Sequence, residues 1–142
     1  MALRTFLAPP YDGNFSDMHA LVACAMLDPA AARTDANYTW FRIYSCCNGH
    51  VQRSVEECSA DKPAEFVEPL KVCMKKRETP TLIAAMHAIA ETYRDFPTVL
   101  INGAPDPAVP EPDTHGDDVQ PLIREVCRLA GASGATLPPA CA

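Results

Sequence analysis

The fold turns on the stretch "DFPTVLINGAP", residues 95–105. Thr98, Val99, Leu100 and Ile101 have the β-branched, apolar character of a short buried strand, and Asn102-Gly103 has the chemistry of a hairpin turn that would end it. Proline has no N–H to give a sheet ladder, so it belongs at a strand's first residue, at an edge or at a bulge. Pro97 falls on that first residue. An aromatic residue before it and a threonine after it point to a cis Phe96–Pro97 bond.

Upstream of this stretch lies the clearest helical pattern in the chain, "TLIAAMHAIAETYR" at residues 81–94. Thr79 is placed to cap it and Pro80 to occupy its first position. Leu82, Ile83, Met86, Ile89, Ala90 and Tyr93 share one face, with His87 at the apolar edge as a boundary residue. Downstream, residues 104–116 form a proline- and aspartate-rich loop within the domain. A last helix is expected over 118–130, capped by Asp117 and ended by Gly131.

In the first half, Thr5 to Ala8 has the makings of a strand and "DMHALVACAML", residues 17–27, of a helix. "YTWFRIY", residues 38–44, is aromatic and β-branched enough for a second strand. Two short helices follow, "HVQRSVEECSA" and "AEFVEPLKVCMKKR", the second broken or kinked at Pro69. Strands interleaved with helices suit a single α/β domain over residues 1–142, a small sheet with helices on its faces.

Composition excludes several classes. A net charge of −6 with no Lys/Arg run offers no footprint for nucleic acid or an anionic membrane surface. No apolar run approaches the ~18 residues of a membrane span, and the start "MALRTFLAPPYDG" is a poor secretory signal. The chemistry-bearing residues are the cysteines, seven of them at 24, 46, 47, 58, 73, 127 and 141. That density points to disulfides in an oxidising compartment or to a metal site. An odd count leaves at least one thiol free or paired outside the chain.

Cys46, Cys47, His50 and Cys58 include a zinc-like spacing, but a second close Cys or His pair is absent, so disulfides are the expected use and no metal or cofactor is assigned. Cys127 and Cys141 bracket "RLAGASGATLPPA"; joined, they would tether the C-terminal segment by roughly 3 kcal/mol in the chain-entropy account. The pairing of Cys24, Cys46, Cys47, Cys58 and Cys73 stays open. His19, His50, His87 and His115 are scattered without an HExxH pattern. Asn14 and Asn37 each begin a glycosylation sequon. No Gly-rich phosphate loop or G-x-S-x-G elbow occurs.

Together these pieces resemble the gamma-interferon-inducible lysosomal thiol reductase family. "FPTVLINGAP" is similar to that family's V-P-W-V-x-V-N-G strand, and "VCRLAGASGATLPPAC" to its closing helix and last cysteine. "VEECSADKPAEFVEPLKVCMKK" is similar to its V-E-x-C-A and F-P-F-x-x-C-M-E stretches, "CCNGH" to the start of its C-Q-H-G motif, and "TFLAPPYDGN" to its L-V-P-Y-G-N-A strand. The resemblance implies a thioredoxin-like sheet, partial or divergent, with a helical insertion before a cis-proline strand. It also implies thiol–disulfide chemistry on disulfide-containing or unfolded polypeptides, and a lysosomal or secreted location.

In that family Phe96, Pro97 and Thr98 would form the substrate-side wall of the redox site. The attacking Cys-x-x-Cys lies ahead of the L-V-P-Y-G-N strand, where this chain begins, and no C-x-x-C occurs within it. Adjacent Cys46 and Cys47 are weak catalytic substitutes, because a vicinal disulfide is strained. The expectation is therefore a catalytically incomplete reductase-like protein, with a partner covering an exposed sheet edge. The alternative is a non-catalytic secreted or lumenal binding module held by disulfides.

Overall fold

The structure, a computed structural model, describes residues 6–7, 17–31, 38–49, 51–92, 100–101, 104 and 120–142. The chain divides into two compact units, one of residues 2–92 and one built on residues 93–142.

Among its described residues the first unit contains five helices: α1 (Asp17–Leu27), α2 (Thr39–Cys47), α3 (Val55–Ser59), α4 (Ala64–Met74) and α5 (Thr79–Glu91). Helix α1 is the centre, touching each of the other four. Its sequence explains why. Leu21, Val22, Ala23, Cys24 and Ala25 are consecutive and all buried, so α1 has an apolar surface on every side, and Ala23 and Ala25 are small enough to let neighbours approach. Around it pack Trp40, Ile43 and Cys47 from α2, Val67, Leu70 and Cys73 from α4, and Ile83 and Met86 from α5. Each set recurs at three- or four-residue spacing, the signature of one helical face.

Local chemistry sets the ends. Ser54 caps α3 in a reciprocal box: the Glu57 amide donates to the Ser54 hydroxyl at 3.1 Å and the Ser54 amide to the Glu57 carboxylate at 3.0 Å. Pro80 lies in the first turn of α5, and the Thr79 hydroxyl donates to the Cys73 carbonyl at 2.6 Å, clamping the start of α5 to the end of α4. Asp28, just past α1, accepts from the Ala30 amide and from Lys76 Nζ, both at 2.9 Å.

In the second unit α6 (Gln120–Ala132) is followed by a 3-10 turn at Pro139–Cys141. Gly131 lies inside α6 and does not end it. The helix closes one turn later on Gly134, whose φ of 74° is left-handed. The Ala135 amide reaches the Ala130 carbonyl at 3.1 Å and the Gly134 amide reaches Gly131 at 3.1 Å. This is the Schellman arrangement that a left-handed glycine permits.

The α/β expectation is overturned. Of the described residues 67% are helical, in six helices, and they contain no strand and no sheet, so the thioredoxin-like sheet is not the architecture. Residues 38–44, expected to be a strand, enter helix α2; Tyr38 turns the chain at φ 49° and the helix runs from Thr39. Burial along one helical face outweighed the β-preference of the individual aromatic and β-branched residues. Phe6 and Leu7, from the first expected strand, are irregular and pack half-buried against the helical core. From the strand at 98–101, Leu100 and Ile101 are described. Ile101 makes an isolated antiparallel bridge to Ala104, the two exchanging amide hydrogen bonds of 2.9 and 3.2 Å across positions 102–103. Pro69, expected to break or kink its helix, does not break it and sits within α4.

Candidate functional site

The chemistry concentrates on the cysteines, and helix packing decides their fates. Cys24 on α1 and Cys73 on α4, both fully buried, form a disulfide with Cα atoms 5.9 Å apart. The capped α3 presents Cys58 to the end of α2, where it joins Cys46 with a Cα separation of 5.7 Å. Cys127 in α6 joins Cys141 in the terminal 3-10 turn, at 5.5 Å. The expectation of disulfide bonds thus holds, and every one of the three lies within a single unit.

Cys47 is the remaining thiol. One residue along α2 from Cys46, it turns inward and is 2% exposed, within the apolar core. Burial pushes its thiol up from the ordinary value, and the carboxylates of Asp17 and Glu57 push the same way. Nucleophilic attack on a disulfide needs a thiolate, which these surroundings suppress. Cys46 and Cys47 are therefore no catalytic pair: one sulfur is bonded to Cys58 and the other is a buried thiol whose ionisation is disfavoured. The same disulfide removes Cys46 and Cys58 from any zinc set, since a bonded sulfur is no thiolate ligand. Among the described residues no group of three or more His, Cys, Asp or Glu side chains is arranged to hold a metal ion.

Beside Cys47 is a hollow of about 320 Å³ walled by Asp17, Met18, Gln52, Arg53, Ser54 and Val55. It joins the start of α1 to the loop before α3, and its wall is mixed in polarity.

A titratable pair that the sequence reading missed bridges α1 and α5. His19 Nδ1 lies 2.9 Å from His87 Nε2, with the rings edge to face. His87, expected at a boundary, is buried. Sixty-eight residues separate the two, so no local motif could pair them. The spacing Ile83, Met86, His87, Ala90 nonetheless carries the signal that His87 falls on the buried face. Burial holds both imidazoles below their ordinary pKa; His87 acts in the same direction on His19, and Glu91 opposes the shift at His87.

No family model, no curated protein and no solved structure matches the chain. Phe96, Pro97 and Thr98, the expected substrate wall with its cis bond, lie outside the described residues, as do Asn14, Asn37, His50 and His115. Among the described residues no helix is long and apolar enough to cross a membrane.

Proposed function

We propose that the chain is a non-catalytic binding module, secreted or lumenal, whose helices are held by disulfides. One observation carries this reading: six of the seven cysteines are paired within their own units, and the seventh is a buried thiol of suppressed acidity. Three disulfides favour an oxidising compartment, secretory or lysosomal. The partner class is a polypeptide, as the resemblance to the thiol reductase family implies.

A second reading, an incomplete thiol–disulfide oxidoreductase of that family, is favoured by one observation. The Cys127–Cys141 loop closes on the stretch that resembles the family's ending. In that reading the attacking dithiol is supplied from outside the seven cysteines described above, and Phe96-Pro97-Thr98 receives the substrate.

Insulin reduction, followed as turbidity with dithiothreitol as electron donor, tests the non-catalytic reading. The purified oxidised chain should add nothing to the dithiothreitol control. Turnover above it would overturn the non-catalytic reading.

A further inference from the structure

In the first unit, disulfides cross-link α1 to α4 and α2 to α3. Helix α5 has no such tie. It is held by the packing of Ile83, Met86 and Ala90, by the Thr79–Cys73 hydrogen bond at its start, and by the contact of His87 with His19 on α1. We propose that this histidine contact is an acid-released latch: lowering the pH frees α5 from α1 while the cross-linked helices stay together.

The chemistry of the contact supports this. At 2.9 Å one ring nitrogen donates its proton to the lone pair of the other, which requires at least one neutral imidazole. A first added proton leaves a charge-assisted bond. A second removes the acceptor and sets two like charges in contact inside an apolar interface.

The charged groups of the surrounding described elements are placed as follows. On α5, Glu91 favours a charged His87. At the start of α1, Asp17 acts on Cys47, as does Glu57 from α3. Lys71 of α4 is held by Glu56 of α3 at 2.9 Å, and Lys76 by Asp28 beyond the far end of α1. Arg42 of α2, Glu65 and Glu68 of α4, and Glu78 before α5 are at exposed positions.

The sign follows from the direction of both shifts. Groups that titrate lower in the folded chain than in the unfolded one stabilise the fold fully above the unfolded value, about 6.5 for histidine, and lose that contribution as pH falls through the folded values. Release would uncover Ile83, Met86 and Ala90 on one side and the apolar surface of α1 on the other. Residues 75–78 would be the hinge, next to the clamp between Thr79 and Cys73.

Amide hydrogen exchange on the full oxidised chain tests this, with rates corrected for their intrinsic pH dependence. Between pH 7 and pH 5, exchange in α5 should accelerate on the order of tenfold or more, since each histidine contributes up to a tenfold change per pH unit between its free value and its lowered folded value. Exchange in α2 and α3 should change less. The double variant His19→Gln with His87→Gln, which can keep a side-chain hydrogen bond without titrating, should flatten the α5 response. Unchanged α5 protection in the wild type, or an equal pH response in the variant, would overturn the latch.

Proton NMR of the wild-type imidazoles decides the matter independently if the variant does not fold. Two coupled titrations below the free-histidine value are expected. Two independent titrations at that value would overturn the proposal.

Discussion

Cys47 shows at the scale of a residue how burial decides reactivity. Its neighbours in the core and the two nearby carboxylates all disfavour the thiolate. Iodoacetamide at pH 8 should leave Cys47 unmodified in the native oxidised chain and label one cysteine per chain once it is unfolded without reductant, as read by mass spectrometry. Rapid labelling of the native protein would show the thiol to be accessible. Asp28 is the opposite case. The hydrogen bond from Lys76 leads the causes that hold its carboxyl below the usual range, with the Ala30 amide next, against the cost of burial. A carboxyl lowered in this way stabilises the fold above the unfolded pKa and ceases to do so as pH falls through the lowered value. Asp28→Asn should therefore melt lower than the wild type at pH 7, and the gap should close in strong acid. An unaltered melting temperature at neutral pH would remove the ion pair from the account of stability.

The elements differ in what secures them, and their cross-links can be ranked. In the chain-entropy account, closing the 49-residue separation between Cys24 and Cys73 contributes about 4 kcal/mol, and the 12-residue separation between Cys46 and Cys58 about 3 kcal/mol. Replacing Cys24 and Cys73 together by alanine should lower the unfolding midpoint in urea more than replacing Cys46 and Cys58. The reverse order would mean that strain or residual structure dominates over loop closure. Helix α1 was legible as an apolar run closed by Asp28-Pro29, and α5 and α6 because their apolar residues recur at helical spacing over three turns or more. Their ends were less so: the Schellman glycine is Gly134 where Gly131 was expected, and α5 begins one residue earlier than the Pro80 signal indicated. Helix α2 was misread because Trp40, Phe41, Ile43 and Tyr44 each favour strands as individual residues. The spacing of Trp40, Ile43 and Cys47, which all point inward, held the correct answer.

For the whole molecule, the sequence showed that the cysteines serve as cross-links but did not reveal a helical unit in place of a sheet. A family likeness spread over short motifs supplied the sheet, and a proline followed by four β-formers reinforced it. The elements before that proline are set instead by a central helix that buries five consecutive residues among four other helices. Because both of its disulfides are internal, residues 2–92 expressed alone in oxidised form should keep a helical far-UV spectrum and a cooperative melt. A featureless spectrum would show that this unit depends on residues 93–142.

The two bonds of that unit are also nested, with Cys46–Cys58 inside the span of Cys24–Cys73. As the polypeptide is synthesised, Cys24 meets Cys46, Cys47 and Cys58 before its true partner has been made. Oxidative folding therefore has a sorting problem, and refolding yield should depend on an added isomerase, which undoes premature links, more than on the supply of oxidant.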